Sequence, residues 1–246
     1  MNERHKTILK LLSQENEVSV LDLSASLKVS GVTIRQDLRD LEQQGLLKRV
    51  HGGAILNRSD RISNRMVFNY EEKVKIAQKA AEYVNDGETI FIESGSVNTL
   101  LAKELTKKKN ITILTSNTYI ARELRHNKEI NIIIMGGLYQ HQSESLVGKL
   151  TRLCIKHVNF NKAFIGIDGF SPETGFTSKD MLRAETAASI AEKSKKTFIL
   201  TDSTKFDKVA LSKICDPVDI NYLVTDRIPG KDKKYLEDNN VEVIVV

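Results

Sequence analysis

The chain has 246 residues, a net charge of +5 and 40% hydrophobic residues, so it is long enough for two ordinary domains with apolar cores. No apolar run approaches the ~20 residues that a membrane-spanning helix needs, and the first ten residues are too polar for a signal peptide, so we expect a cytoplasmic protein. Its two cysteines lie far apart and its histidines are scattered, which favours buried thiols; we expect no disulfide, metal or other cofactor.

Residues 18–55 have the pattern of two short amphipathic helices followed by a hairpin. Ser19 and Ser30 are candidate N-caps, which leaves a connection of only a few residues between the helices. So short a connection predicts a helix-turn-helix, with the second helix free to enter a major groove of DNA. The hydrophobic residues that carry the pattern are Val20, Leu23 and Leu27 in the first helix and Ile34, Leu38 and Leu41 in the second.

Two β-prone segments, 46–50 and 54–56, flank a glycine pair that suits a two-residue turn at Gly52-Gly53. This hairpin is a candidate wing, whose cations would meet phosphates beside the groove. Taken alone, the polar face of the second helix favours a solvated surface helix, and the net charge alone does not indicate DNA binding; the combination of capped turn, amphipathic helices and basic hairpin favours DNA binding. The candidate DNA-binding residues are Ser30, Thr33, Arg35, Gln36 and Arg39 on the helix and Lys48, Arg49 and His51 on the wing.

Residues 58–70 are polar and basic without periodicity, which indicates a linker between a first domain, 1–57, and a second domain, 71–246. In the second domain helical and strand patterns alternate, and the strands have few polar interruptions. Such strands predict a mostly parallel sheet that helices cover on both faces. The predicted helices are 71–84, 98–105 and 118–125, and the predicted strands are 88–92, 111–114, 130–135, 162–167, 197–201, 222–225 and 241–246.

Polar and glycine residues directly follow five of these strands, and ligands of open parallel sheets gather at strand carboxyl ends. The turn at 94–98 joins a strand to a helix, an arrangement that can hold a phosphate, although Ser-Gly turns are also common connectors. A lysine from another strand end favours an anionic ligand. The candidate ligand-binding residues are Ser94, Gly95, Ser96, Asn98, Ser116, Asn117, Gly136, Gly137, Asp168, Gly169 and Lys205.

The run VSVLDLSASLKVSGVTIRQDLRDLEQQGLLKRVHGGA resembles the signature of the DeoR family of bacterial transcription regulators. The resemblance continues to Asp226, and the runs SESLVGKL and PETGFTSKDMLRAE are similar to a subgroup to which we assign no ligand. It implies a small α+β winged helix-turn-helix followed by an α/β, Rossmann-like domain similar in fold to ribose-5-phosphate isomerase and CoA-transferase-like proteins. It also implies operator DNA and a phosphorylated sugar as partners. Because one winged helix contacts one half-site and useful affinity comes from a symmetric pair, we expect a homodimer or higher homo-oligomer.

On this resemblance, the residues of the turn after the first strand and Lys205 would hold the phosphate, while Asp168, Thr177 and Glu185 would meet sugar hydroxyls. The usual family form of that turn is DSGTT, whereas this chain has Glu93-Ser94-Gly95-Ser96-Val97, so the sugar cannot be assigned by analogy. Asp180 and Arg183 either contact the ligand or cap and pair along the following helix.

Two classes of function are compatible with these features. The first is a DNA-binding transcription regulator, a repressor of carbohydrate metabolism whose second domain senses the sugar phosphate. The second is a sugar-phosphate isomerase with a DNA-binding appendage, because Asp168, Glu185 and Lys205 are residue types that transfer protons. We favour the regulator, since a fold shared with an isomerase does not establish turnover.

Overall fold

The computed structural model describes residues 2–57 and 61–246, with the side chains of residues 13 and 14 left out. The chain divides into two compact units, Met1–Tyr70 and Glu71–Val246. The predicted fold, a helix-turn-helix followed by an α/β unit with a parallel sheet, is confirmed. No helix in the described ranges is both long enough and apolar enough to cross a membrane.

The first unit is a winged helix-turn-helix whose three short strands form one antiparallel sheet in the order β1-β3-β2. Its core joins the predicted apolar faces to Ile8 and Leu12 of a first helix that the sequence analysis missed. The elements are α1 (Glu3–Glu15), β1 (Glu17–Ser19), α2 (Val20–Leu27), α3 (Gly31–Gln43), β2 (Leu47–Val50), β3 (Gly53–Leu56) and α4 (Ile62–Val67).

Hydroxyl caps begin both helices of the helix-turn-helix, as predicted. The Ser19 side chain accepts a hydrogen bond from the backbone N–H of Asp22, and the Ser30 side chain accepts one from the N–H of Thr33. Between them Lys28 ends α2 in the left-handed conformation, with φ +54°. These local hydrogen bonds fix the short turn between α2 and α3.

The turn of the wing lies one residue earlier than predicted. Val50 pairs with Gly53, so the turn consists of His51 and Gly52, and Gly52 has φ +78°. Gly53 lies in β3 instead, where an added Cβ would stand 2.2 Å from the carbonyl oxygen of Val18 in β1. Of the two glycines, Gly52 is the one that adopts a positive φ, whereas Gly53 allows the backbone of β1 to approach closely.

Part of the predicted linker is a helix. Residues 58–60 lie outside the described residues, but α4 follows them and buries Ile62 and Met66. The Asn64 side-chain amide donates hydrogen bonds to the carbonyl oxygens of Gly45, at 3.0 Å, and Asn57, at 2.8 Å. The helix therefore packs on the first unit, and the interpretation of these residues as irregular was wrong because their contacts lie far back along the chain.

The second unit is built on a seven-stranded parallel sheet in the order β15-β14-β12-β9-β4-β5-β6. Its helices are α5 (Tyr70–Ala81), α6 (Ser96–Glu104), α7 (Thr118–Leu124), α8 (Lys149–His157), α9 (Met181–Lys193) and α10 (Gly230–Asp238). The strands of the parallel sheet are β4 (Thr89–Ile92), β5 (Ile111–Thr115), β6 (Ile130–Ile134), β9 (Lys162–Ile165), β12 (Lys196–Leu200), β14 (Tyr222–Thr225) and β15 (Glu242–Val245).

Two small antiparallel sheets follow the carboxyl ends of the parallel strands, and the sequence analysis missed both. Their strands have only three or four residues, too few for a period-2 pattern to be distinguished from a loop. One is the hairpin β7 (Leu138–Gln140) with β8 (Ser145–Val147); the other has the order β10-β11-β13, from Gly169–Ser171, Gly175–Ser178 and Ser212–Cys215.

The two cysteines are both free thiols. Cys215 is buried as predicted, and burial raises the pKa of its thiol to about 12. Cys154 is only partly buried, contrary to the expectation, because it lies on α8 near the backbone of Gly136 at the margin of the core.

Candidate functional site

The exposed face of α3 carries Arg35, Gln36 and Arg39, whereas Thr33 is half-buried. The Gln36 amide donates to Asp40 at 2.8 Å, and the Arg39 guanidinium donates to the carbonyl oxygen of Arg35 at 3.3 Å. The Ser30 and Thr33 hydroxyls lie 2.9 Å apart at the start of the helix. The structure therefore places Arg35, Gln36 and Arg39 on one exposed surface of α3, where the arginines keep their charge exposed to water, and places Ser30 and Thr33 at the N-terminus of the helix.

A glutamate that the sequence analysis did not single out ties the wing to α3. Glu42, in the last turn of α3, accepts a hydrogen bond of 2.8 Å from the backbone N–H of Arg49. Its carboxylate also lies 4.0 Å from the Arg49 side chain, while Lys48 and His51 remain exposed. This bond fixes the position of β2 relative to α3 and holds Arg49 of the wing beside the last turn of that helix.

In the second unit, the loops after two neighbouring strands, β4 and β5, contact each other at the carboxyl edge of the parallel sheet, and the segment after β4 also contacts strand β9. The Asn117 amide, after β5, donates to the Ser94 hydroxyl, after β4, at 2.9 Å. The Asn98 amide donates to the carbonyl oxygens of Glu93, at 2.9 Å, and Phe164 of β9, at 3.1 Å. Parallel register thus brings together residues far apart in sequence.

These bonds give the two asparagines a role in shaping the loops. Asn98 is fully buried, and its amide is engaged by the two backbone carbonyls, so it holds the turn rather than facing a ligand. Asn117 also caps α7, because its side-chain oxygen accepts from the N–H of Ile120. A phosphate contact by the Asn98 side chain, which the resemblance implied, does not fit this arrangement.

The turn that these asparagines hold leads into α6. The N-cap is Gly95, and within the described part of the chain no side chain caps this helix. Ser94 and Ser96 lie on either side of that glycine with their side chains mostly buried. Backbone N–H groups at the first turn of a helix attract anions, since they lack partners within the helix.

Asp168, after β9, lies opposite the beginning of α9. Its carboxylate accepts a hydrogen bond of 3.0 Å from the N–H of Lys179 and lies 4.0 Å from the Arg183 guanidinium. Asp180 caps α9 by accepting from the N–H of Arg183, and also accepts from the Gln140 amide at 2.9 Å. Asp180 therefore has the capping role that the sequence left open, whereas Arg183 joins the strand-end cluster.

Six of the predicted residues have contacts that hold the fold. The Thr177 hydroxyl donates to the carbonyl oxygen of Gly169 and accepts from the N–H of Ala210, each at 3.0 Å. Glu185 pairs with Arg152 of α8 at 2.8 Å. A Cβ on Gly137 would stand 2.0 Å from the Thr151 hydroxyl, so this glycine lets α8 approach. The carbonyl oxygen of Ser116 accepts a hydrogen bond from the N–H of Leu146, and that of Gly136 accepts one from the Thr151 hydroxyl.

The loop after β12 carries Lys205 and is held by a buried ion pair. Lys205 is half-buried at the end of a 3₁₀ turn, Ser203–Lys205, whose first N–H groups bond to Asp202 and Asp226. Asp202 and Lys73 of α5 are each 4% exposed, with 3.6 Å between Nζ and Oδ2. Burial opposes ionisation of Asp202, but Lys73, Thr204 and Lys205 outweigh it and hold its pKa below the ordinary value.

The sequence analysis missed Lys73, although a signal for it was present. Lys73 precedes Ile76 by three residues and Ala77 by four, and both of those residues are buried. A lysine in that position lies on the apolar face of an amphipathic helix. Such a lysine is stable only with a buried partner, which the sequence alone does not identify.

Comparison with known proteins agrees with both units. The DeoR-like helix-turn-helix domain matches residues 4–60, and the DeoR C terminal sensor domain matches residues 68–227. The transcriptional regulator GolR of Listeria innocua is 36% identical to this chain, over 91% of the chain and 90% of its own length.

Two further relatives come from Escherichia coli. The putative aga operon transcriptional repressor is 29% identical over 100% of this chain and 94% of its own length, and the glycerol-3-phosphate regulon repressor is 30% identical over 92% and 91%. Among solved structures, ribose 5-phosphate isomerase of Plasmodium falciparum is similar with a TM-score of 0.39 and 16% identity, over 55% of this chain and 52% of its own. A structural similarity of that extent carries no information about function.

Replacing Lys73 by methionine leaves the Asp202 carboxylate buried without its lysine, and we expect a loss of about 3–5 kcal/mol of unfolding free energy at neutral pH. The pKa of Asp202 is lowered in the folded state, so the pair stabilises above the unfolded pKa of about 3.9 and this contribution is lost as pH falls through the folded value. The deficit of the variant should therefore shrink in acid.

Urea unfolding of the full chain at neutral and acidic pH measures this deficit. The matched control is Lys79→Met on the same helix, which removes an exposed pair with Glu82 and should cost about 0–1 kcal/mol. Equal losses in the two variants would contradict a special role for the buried pair.

Proposed function

The chain belongs to the DeoR family, whose members are DNA-binding transcription regulators, and we propose that it represses an operon of carbohydrate metabolism in the cytoplasm under the control of a phosphorylated sugar. The proposal of DNA binding rests on the exposed residues of α3 and of the wing, and Glu42 of α3 holds these two elements together by its hydrogen bond to Arg49. Two of the relatives are named as repressors and one, the L-fucose operon activator, as an activator, and we propose the direction that the larger number carries.

We propose that Arg35, Gln36 and Arg39 read base edges in the major groove. They occupy the exposed face of the second helix of a helix-turn-helix, the position from which such helices contact bases. Lys48, Arg49 and His51 on the wing would contact phosphates, which carry affinity without sequence information. Ser30 and Thr33, at the N-terminus of α3, would contact the backbone close to the same groove.

The Arg35→Ala variant tests base reading. We expect it to lose about 1–3 kcal/mol of binding free energy on a duplex that the full chain selects from a random pool, because a guanine contact is lost. Lys48→Ala should instead weaken selected and random duplexes by similar factors and reduce the salt dependence. Fluorescence anisotropy at several salt concentrations measures both; an equal loss on both duplexes for Arg35→Ala would contradict base reading.

For the second unit we propose a phosphorylated sugar as effector, with its phosphate at the first turn of α6. A phosphate binds hydrogen-bond donors and a cation. The proposed donors are the uncapped backbone N–H groups of that turn and the hydroxyls of Ser94 and Ser96, and the proposed cation is Lys205. One relative is named for glycerol-3-phosphate and another for the aga operon. Asp168 and Arg183 are placed at the same edge to meet hydroxyls or the phosphate.

We further propose that these polar residues recognise the ligand without converting it. The relatives are named as transcriptional regulators, and Glu185, one of the three residues that an isomerase reading would use, is paired with Arg152. Recognition needs hydrogen-bonding groups at fixed positions, whereas turnover needs a group free to exchange a proton with the substrate. Incubation with phosphorylated sugars without product formation is the expected result.

The Lys205→Ala variant tests the effector site. A phosphorylated sugar at 100 times its dissociation constant should raise the apparent stability of the wild type by about 2.7 kcal/mol, and this gain should vanish in the variant. DNA affinity without ligand should stay near that of the wild type, because Lys205 belongs to the second unit. Lys208→Ala, an exposed lysine of the same loop, is the control and should respond normally.

A thermal-shift screen against phosphorylated sugars identifies the ligand, and anisotropy with the selected duplex shows whether it releases DNA. A Lys205→Ala protein that binds and responds at wild-type ligand concentrations would contradict the assignment. The alternative role of Lys205 is then only pairing within its loop.

We also propose a homodimer or higher homo-oligomer, since one winged helix contacts one half-site and useful affinity comes from a symmetric pair. Light scattering of the full chain should give at least twice the mass of 27.7 kDa. A monomer in solution that binds the selected duplex tightly, with one copy per duplex in the complex, would overturn this proposal.

A further inference from the structure

Asp37 lies on α3 but faces away from the exposed surface. It is 4% exposed and stands in the buried stripe with Ile34, Leu38 and Leu41. A buried carboxylate is costly unless cations and hydrogen bonds compensate it, and on a helix that approaches phosphates its charge would also be repelled. Its position among apolar residues therefore calls for a reason.

Two residues of α1 bind this carboxylate. The Arg4 guanidinium donates two hydrogen bonds, from Nε to Oδ2 at 2.5 Å and from Nη2 to Oδ1 at 2.9 Å. Nε2 of the buried His5 lies 3.1 Å from Oδ1. The hydrogen bond from Arg4 outweighs burial and lowers the pKa of Asp37, so the carboxylate is ionised at neutral pH.

The end of α1 that carries these residues is itself fixed. The Asn2 side chain caps the helix by accepting from the N–H of His5 at 2.7 Å. A bidentate guanidinium–carboxylate pair is directional, whereas the apolar contacts of Ile34, Leu38 and Leu41 permit small rotations. At roughly 100° per residue, Asp37 lies about opposite both Arg35 and Arg39 around the helix axis.

We propose that Asp37, held by Arg4 and His5, is a positioning residue that sets the rotation of α3 about its axis and thereby aims Arg35 and Arg39. The cluster links α3 to α1, outside the α2–α3 pair that forms the turn, and it keeps the one carboxylate of the stripe away from phosphates. This inference rests on the proposed role of α3 in reading bases.

The experiment uses the full chain with Arg4→Lys and Asp37→Asn. Arg4→Lys keeps the charge but removes the two-pronged hydrogen bonding, and Asp37→Asn keeps the shape but removes the charge. We expect each to weaken binding of the selected duplex by roughly tenfold, as loss of one base contact does, while binding of random duplex changes less than about twofold. The salt dependence should stay that of the wild type, because no phosphate contact is removed.

Measuring the affinity for both the selected and the random duplex distinguishes a rotated helix from a partly unfolded protein. A partly unfolded population lowers the apparent affinity for both duplexes by the same factor, whereas a rotated helix lowers only that for the selected one. Glu3→Gln, in the same turn of α1 as Arg4, removes an exposed pair with Lys6 and is the matched control, which should bind like the wild type.

Equal losses on both duplexes, or no loss on either, would overturn the inference. Measuring Arg35→Ala in the same experiment distinguishes a failure of the inference about Asp37 from a failure of the proposed base reading by α3. If Arg35→Ala selectively weakens the selected duplex and Asp37→Asn does not, α3 reads bases without the cluster. If Arg35→Ala itself shows no selective loss, the proposed role of α3 fails.

Discussion

Buried carboxylates paired with cations of a second element are the interactions on which the candidate surfaces of this protein depend. Asp37 of α3 binds Arg4 of α1, Asp202 after β12 binds Lys73 of α5, and Asp168 after β9 lies near Arg183 of α9. Each pair costs desolvation, and each holds only when its partner arrives from a second element. Their geometry therefore fixes how helices and loops stand next to the residues proposed to bind DNA or ligand.

The parallel sheet provides the second constraint. Because the carboxyl ends of its strands meet at one edge, loops from separate parts of the chain converge there. The structure shows how these loops hold one another, through Asn117 to Ser94 and Asn98 to Phe164. The asparagine side chains hold the loops in place, and the backbone N–H groups at the start of α6 have no side-chain cap among the described residues. This arrangement is consistent with an anion at the start of α6.

A repressor controlled by an effector requires that the ligand bind the DNA-competent and DNA-incompetent states with different affinity, a difference of about 1–3 kcal/mol in typical cases. In this chain α5 follows directly in sequence from the DNA-binding unit, and its Lys73 contacts the loop that carries Lys205. A ligand at Lys205 would therefore act on a loop whose anchor lies on the first helix of the second unit.

The sequence by itself determined the elements whose signals are local. The amphipathic faces and serine caps of α2 and α3 depend on residues three or four positions apart. The strands of the parallel sheet are recognisable from short continuous apolar runs, which are also a local signal. The tertiary structure alone decided what depends on contacts distant along the chain. Gly53 is in β3 because Val18 lies against it, α4 packs because Asn64 reaches Gly45, and Asn98 holds its loop because Phe164 offers a carbonyl. A periodic pattern shows which face of an element is buried, but it does not show which residue lies opposite, and the partner decides whether a polar side chain supports the fold or remains available to a ligand.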